Sequence, residues 1–375
     1  MTRWVLIAGD FTPLGGMDRA NFSLARDLAE RGGDEVHVVA HRVWPDLQRA
    51  PEVHVHKVKR PLGSHMLGAP LLAAEGRRCA VRLHPARVIA NGGNADTGDV
   101  NWVHYLHAAH APHVSGWRRR LTGSVAHRYY LDREREALTR ARIVICNSAR
   151  TARDVTERIG IEPARTRVVY YGSDPRQFSL VSPAERAEAR RALGWDVDRP
   201  TALFIGALGD RRKGFDRLFE AWRLLCMDAG WDADLAVAGH GADLSRWRRR
   251  AIDAGLGARV RFLGFREDIA GVLAASDVLV HPARYEAYGL GVHEAICRGL
   301  PAIVSAAAGV AELYPAELAD DLIHDVEDAN EIADRLHKWR WDMAAGSARV
   351  RALSDRLRSR PWRQMSDEIV AAAGA

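Results

Sequence analysis

Short apolar runs alternate with amphipathic stretches from the first residues onward. Trp4–Ala8 (WVLIA) is a strand-length apolar run, GDFTPLGG follows as a glycine-bearing loop, and then Phe22, Ala25 and Leu28, with Leu24, recur at helical spacing as far as Glu30. Glu35–Ala40 (EVHVVA) is valine-rich and strand-like again. The order strand, loop, helix, strand predicts a βαβ unit with parallel pairing and a right-handed crossover. EVHVHKV, ARVIAN, VNWV, RIVIC and RVVYY add strands before Gly172, so the first half reads as one doubly wound α/β domain.

After GSDPRQF the pattern turns polar, with a helix around Ala184–Leu193, and then restarts. TALFIG (Thr201–Gly206), the helix DRLFEAWRLL, DLAVAG (Asp234–Gly239), RVRFLG (Arg259–Gly264), DVLVHP (Asp277–Pro282) and AIVS (Ala302–Ser305) form a second alternating set. The boundary falls in Asp174–Val197, giving domains 1–174 and 175–359. Ligands of open parallel sheets lie at the carboxyl ends of the strands, where strand order reverses. Two such sheets facing each other would form a cleft.

The length, 375 residues, suits two domains. Hydrophobic residues at 47% and charged ones at 27% are ordinary for a globular protein. No stretch approaches the ~20 apolar residues of a membrane span, and the N-terminus is too brief an apolar run for a signal peptide, so the chain reads as cytoplasmic. Cys79, Cys146, Cys226 and Cys297 form no C-x-x-C pair, which suggests neither zinc nor a disulfide framework. The net charge of +6 comes almost wholly from arginine, with Lys57, Lys59, Lys213 and Lys338 the only lysines. Such a chain favours anionic partners, but no basic run carries the spaced aromatics of an RNA-binding sheet, so nucleic acid is not expected.

Candidate chemistry gathers at predicted strand ends. In YEAYGLGVHEA, Tyr285–Ala295, Gly289 and Gly291 argue for a loop followed by a helix from about Leu290. Glu286 then projects from the loop, Glu294 falls in the first turn, and the free N–H groups between them make an anion site flanked by two acids. After TALFIG, Arg211, Arg212 and Lys213 precede a helix starting near Asp216, where cations oppose the helix dipole and call for an anion such as a diphosphate, with Gly214 permitting close approach. AGHGAD places Gly239 and Gly241 after another strand, a turn when taken alone. PLGG (Pro13–Gly16) lacks the G-x-G-x-x-G spacing, which disfavours a nicotinamide enzyme. VHYLHAAH carries His104, His107 and His110; a substrate-contacting histidine and a core or surface histidine both outweigh a metal cluster there. Asp232-Ala233-Asp234 imitates a metal-binding D-x-D but lies at the amino end of its strand, away from the expected anion site. Trp117–Glu136 is either a basic helix for an anionic membrane or a surface helix with Arg133, Glu134, Arg135 and Glu136 solvated.

Taken together, these motifs resemble the family 4 retaining glycosyltransferases over nearly the whole chain. PLGGMDRANFSLARDLAERG is similar to the family's first glycine loop and helix, CNSARTARDV and VVYYGSDPRQF to its inter-domain junction, and ALFIGALGDRRKGFDRLFEAW to its donor-phosphate segment. VLVHPARYEAYGLGVHEAICRGLPAIVS is the most specific match, and SRPWRQMSDEIV resembles the helix that returns to the N-terminal domain, here 360–375. The resemblance implies the GT-B fold, two Rossmann-like doubly wound domains facing across a cleft, acceptor side first and nucleotide-sugar side second. It also implies that Glu286 contacts the donor sugar, Glu294 the ribose hydroxyls, and Gly289, Leu290 and Gly291 the diphosphate. Arg212 and Lys213 would neutralise the leaving phosphate, and His104 would face sugar or acceptor. Gly15, Gly16, Gly206, Gly239 and Tyr288 complete the implied donor site. One departure is Ala207, where many members carry arginine after the glycine.

The expected reaction is transfer of a sugar from a nucleotide diphosphate to a hydroxyl acceptor, with no cofactor and no divalent metal. The acceptor would be a glycan, a glycolipid or a small molecule, and a membrane-borne one would put the protein at the inner face of the membrane. The alternatives left open are a nucleotide-sugar-binding protein without turnover and a retaining glycosidase using Glu286 and Glu294. Sequence does not discriminate donor base, sugar or oligomeric state.

Overall fold

The computed structural model of the protein describes residues 2–111, 117–209 and 211–374. The chain divides into two compact units, one of Met1–Ala111, Trp117–Gly172 and Arg360–Ala375, the other holding Ser173–Ser359.

The first unit contains β1 (Arg3–Ile7), β2 (Asp10–Phe11), β3 (Glu35–Ala40), β4 (Arg42–Val43), β5 (Val53–Lys57), β6 (Arg87–Asn91), β7 (Val100–Val103), β8 (Ile143–Cys146) and β9 (Thr166–Val168). Seven of them form a parallel sheet in the order β5-β3-β1-β6-β7-β8-β9, while β2 and β4 pair separately. Order reverses between β1 and β6, so the loops after these strands border the switch point. Val5, Leu6 and Ile7 of β1 are all buried. A strand covered on both faces reads as an unbroken apolar run, as this one does.

RVVYY yields a strand only as far as Val168. Beyond it the carbonyls of Tyr170 and Tyr171 accept from the Arg360 guanidinium, at 2.8 and 3.2 Å, instead of from a neighbouring strand. The helix Trp362–Gly374 packs on the helix Met17–Glu30, where Arg31 bridges Asp27 and Asp367 at 2.7 and 2.6 Å. At the return point a Cβ on Gly172 would lie 2.4 Å from Trp362 N, so only glycine fits there.

The second unit has β10 (Thr201–Ile205), β11 (Asp234–Ala238), β12 (Val260–Gly264), β13 (Val278–His281), β14 (Ala302–Ser305) and β15 (Leu322–Ile323), parallel in the order β12-β11-β10-β13-β14-β15. Its switch point lies between β10 and β13. One core combines Phe219, Trp222, Trp231, Leu235 and Leu336 beneath the helices Phe215–Leu225 and Ala329–Trp341.

The strands' amino ends are held by ion pairs, the largest cluster around the buried Asp234. Asp234 accepts from Arg199, Arg259 and Arg261 at 2.7, 3.2 and 2.8 Å, and Asp232 pairs with Arg340. The D-x-D triplet is thus an arginine-bound structural element. Among the described residues no helix is long and apolar enough to cross a membrane.

One local expectation needs correction. Glu134 is fully buried rather than solvated, because its carboxylate accepts from the backbone N–H of His107 at 2.8 Å and Ala108 at 3.1 Å. Burial pushes it up to about 7 against those two donors. The helix Trp117–Arg140 exists, but the side chains of residues 117–122, which carry the basic start of the suggested membrane face, lie outside the described residues.

Candidate active site

The loops after β10 and β13 meet at the second unit's switch point, tied by Arg284 N donating to Arg212 O at 2.8 Å. The loop after β10 delivers Arg212 and Lys213, and the loop after β13 delivers Glu286. Lys213 Nζ pairs with Glu286 Oε2, Arg212 Nη1 lies 3.8 Å from the same oxygen, and His281 Nε2 is 3.0 Å from it. Glu286 keeps a side-chain exposure of 14%, so the pair borders solvent. Burial works against its charge, but Lys213, the His281 hydrogen bond and Arg212 outweigh it and hold the carboxyl well below its ordinary value. Burial also holds His281 below the usual imidazole range, so the neutral ring donates its Nε2–H to Glu286.

The cations at this helix start do not stand uncompensated. Glu286 answers Lys213, and Asp216 lies 3.9 Å from Arg211 Nε while accepting from Arg284 at 2.7 and 2.9 Å. Glu327 closes the network by accepting from Arg284 and Arg217. The protein therefore supplies much of the negative charge that the sequence assigned to a ligand.

Glu286 is fixed by its backbone as well. Its carbonyl accepts from Gly309 N at 3.0 Å and the Tyr288 carbonyl from Val310 N at 2.7 Å. Gly289 follows with φ +111° as the N-cap of the helix Leu290–Cys297. Its position needs glycine on conformational grounds. A Cβ on Gly291, one turn edge further, would meet no atom within 4 Å, so the start of this helix offers N–H groups beside open space. Tyr288 is buried with its hydroxyl 2.6 Å from His293 Nδ1, Leu290 is buried, and Glu294 is buried in the second helical turn rather than the first.

Three of the glycines are required by packing. Gly214 has φ +74°, and a Cβ there would lie 1.8 Å from Pro282 O, so it is glycine because the two switch-point loops pack backbone to backbone. Likewise a Cβ on Gly239 would sit 1.9 Å from Gly206 O, and one on Gly206 would press Phe204 at 2.9 Å. These glycines shape the site by packing against its other loops.

In the first unit, Gly15 has φ +80° and Gly16 caps the helix Met17–Glu30. His104 does not present a free ring nitrogen. Its Nδ1 pairs with Tyr171 Oη and its Nε2 lies 3.2 Å from Asn21 Oδ1, which also accepts from Asn91 Nδ2 at 2.6 Å. With Asn147 Nδ2 donating to Tyr171 Oη at 3.1 Å, the proton order runs Asn147 to Tyr171 to His104 to Asn21. His104 thus positions Asn21, next to the glycine loop.

Burial holds His104 down to about 3 from its usual 6.5. Above pH 6.5 neither folded nor unfolded chain protonates it. As pH falls from 6.5 towards 3, the unfolded chain gains a proton that the folded chain refuses, lowering stability by about 1.4 kcal/mol per pH unit. His104→Gln, whose amide replaces both contacts, should flatten the acid slope of thermal melting. Parallel slopes in variant and wild type would show that another group controls it.

His281 escaped sequence reasoning: one histidine ending an apolar strand reads as core. Its place five residues before Glu286, at the carboxyl end of a switch-point strand, is the signal that could have found it.

Two doubly wound parallel units in tandem are the GT-B fold, as the superpositions below bear out. Residues 14–177 match the family model Glycosyltransferase Family 4 and residues 185–344 match Glycosyl transferases group 1, and the chain belongs to the family 4 glycosyltransferases. A GDP-mannose-dependent alpha-(1-6)-phosphatidylinositol dimannoside mannosyltransferase of Mycobacterium tuberculosis is 34% identical over 179 residues, covering 46% of this chain and 43% of that protein. The 2-deoxystreptamine N-acetyl-D-glucosaminyltransferase of Streptomyces fradiae is 32% identical over 194 residues, covering 49% and 44%. The chain thus spans less than half the length of these curated relatives. Among solved structures, WaaG, a glycosyltransferase involved in lipopolysaccharide biosynthesis, superposes with a TM-score of 0.77 at 22% identity over 98% of both chains. Anabaena HepE in complex with UDP and glucose gives 0.73 at 20% over 100% of both. At these identities the superpositions establish the fold.

Proposed function

We propose that the protein is a retaining hexosyltransferase that moves a sugar from a nucleotide diphosphate to a hydroxyl of a glycan, glycolipid or small-molecule acceptor. The observation that carries this reading is Glu286, held ionised by Lys213, Arg212 and His281 where the β10 and β13 loops meet the N-terminus of the helix Leu290–Cys297. Such a site handles both charges of the reaction. Lys213, Arg212 and the N–H groups from Gly289 to Gly291 stabilise the departing diphosphate, and the Glu286 carboxylate orients the sugar and stabilises its oxocarbenium-like character. Glu294 holds the ribose hydroxyls. The acceptor hydroxyl attacks from the face the diphosphate leaves. The GDP-mannose dependence of the mycobacterial relative and the UDP bound to HepE support a nucleoside diphosphate donor and leave its base to experiment.

Incubation with a panel of nucleotide sugars and sugar acceptors tests the proposal. Transfer with α-configured product from an α-linked donor is expected, and a melting midpoint raised by several degrees by one nucleoside diphosphate should identify the base. Tight donor binding with neither transfer nor donor hydrolysis would overturn it.

The same charge balance makes a catalytic metal redundant, because fixed cations and N–H donors do the neutralising that Mg²⁺ otherwise does. kcat should therefore survive excess EDTA, and Asp232→Asn, which only loosens the pair with Arg340, should leave it unchanged. Activity lost on chelation and restored by Mn²⁺ or Mg²⁺ would reject this assignment.

A further inference from the structure

The neighbouring strands β3 and β5 both carry histidine: His37 on β3, and His54 and His56 at alternate positions on β5. Their register pairs His37 with His54, and Glu35 lies two residues before His37 on the same face. The rings of His37 and His54 stack with centroids 4.8 Å apart, which turns both Nε2 atoms towards one carboxylate oxygen. Glu35 Oε1 is 3.1 Å from His37 Nε2 and 3.5 Å from His54 Nε2. Tetrahedral zinc bonds of about 2.0–2.1 Å require ligand atoms about 3.3 Å apart.

We propose that Glu35, His37 and His54 form a site for a divalent transition-metal ion, Zn²⁺ by its donor set, with one coordination position open to solvent.

Three further features fit this reading. His37 is buried, and its Nε2 makes no hydrogen bond of acceptable geometry despite the nearby carboxylate, so hydrogen bonding alone leaves a polar atom over. The outer groups are those that orient metal ligands. Arg3 Nε donates to Glu35 Oε2 at 2.8 Å, which leaves Oε1 for the metal, and His37 Nδ1 is 3.0 Å from His56 Nε2, an acceptor for Nδ1–H in the tautomer that leaves Nε2 to ligate. His54, half exposed on the edge strand, leaves the fourth position to water.

A neighbouring trio, His56, Glu75 and Cys79, is the competitor. Burial pushes the Cys79 thiol up to about 11, and Arg82 Nη2 lies 3.4 Å from its sulfur, so a protonated thiol and a cation occupy that position. The proposed site lies at the amino ends of its strands, away from the carboxyl-end loops that bind ligands in such sheets. Its metal joins the edge strand β5 to β3 and stabilises the unit without entering catalysis.

The test uses the full chain without a histidine tag, stripped by EDTA and titrated with ZnCl₂ or CoCl₂. One ion per chain is expected, with a melting midpoint raised by several degrees at saturating Zn²⁺. His54→Ala should weaken Zn²⁺ binding at least tenfold and abolish the rise, while Cys79→Ser should change neither. Bound Co²⁺ should give the visible bands of a four- or five-coordinate N,O site without a thiolate charge-transfer band. Equal Zn²⁺ affinity in wild type and His54→Ala, or a thiolate band on Co²⁺, overturns the proposal. Should His54→Ala or Glu35→Gln fail to fold, the Co²⁺ spectrum of the wild type still decides. Zinc should leave kcat unchanged below the melting range, which keeps this result independent of the proposed transfer.

Discussion

Glu286→Gln should reduce kcat for sugar transfer by a factor of about 10²–10³ while the protein remains folded. The amide keeps the shape of the side chain, and the loop is tied by its backbone, with Gly309 N on the Glu286 carbonyl and Arg284 N on that of Arg212. What disappears is the anion facing Lys213, Arg212 and His281. The two cations, Lys213 and Arg212, have side-chain exposures of 16% and 19%, enough to recover hydration, so the stability cost is of order 1–3 kcal/mol. The sign with pH follows from the depressed carboxyl: its stabilisation is full above the ordinary value of 4.5 and is lost as pH falls through the lower folded value. Affinity for the free nucleoside diphosphate should hold or rise, because Lys213 is released from its ion pair. Calorimetry with the diphosphate alongside single-turnover kinetics separates the two effects. Normal kcat would remove Glu286 from the reaction, and loss of diphosphate affinity together with kcat would mean that its role is to position the cations.

What sequence could and could not show follows from where each interaction partner lies. The long strands were legible because both faces are buried, so β1, β10 and β11 appear as apolar runs with glycine or aspartate close by. Two-residue strands such as β2, β4 and β15 have no period to detect. The helix start at Leu290 was legible from Gly289 and Gly291, a purely local signal. Charge runs were harder to read. RERE around Glu134 has the composition of a solvated face, yet Glu134 turns inward to cap two N–H groups of a loop 26 and 27 residues earlier. His104 was legible as unusual, but the chain that engages it, from Asn147 through Tyr171 to Asn21, spans most of the first unit. The acidic answer to Arg211–Lys213 comes from Asp216 and from Glu286, which lies 73 residues beyond Lys213 in sequence, so local reading assigns most of that charge to a ligand.

Gly214→Ala is expected to be among the most destabilising single substitutions in the second unit, although it adds one methyl group. Sequence offered the glycine as room for a diphosphate; the structure fills that room with the Pro282 carbonyl, 1.8 Å from where the Cβ would be. A backbone oxygen at the end of a buried strand cannot swing aside as a long side chain can. The residue also sits at φ +74°, in the left-handed region, as the N-cap of the helix Phe215–Leu225. Left-handed strain of about 1 kcal/mol and displacement of the β13 end together should cost roughly 3–5 kcal/mol. For a unit of this size that lowers the melting midpoint by roughly 10 °C. Pro282 connects His281 to the loop bearing Glu286, so the displacement should reach Lys213, His281 and Glu286 together and weaken nucleoside diphosphate binding at temperatures where the variant is still folded. Gly291→Ala is the matched control, since its Cβ would enter open space at the start of the helix Leu290–Cys297. It should melt like the wild type while obstructing the approach of the diphosphate. Equal melting midpoints for Gly214→Ala and wild type would show that the β10 and β13 loops are not packed as described, and would return Gly214 to the role of a ligand-facing glycine.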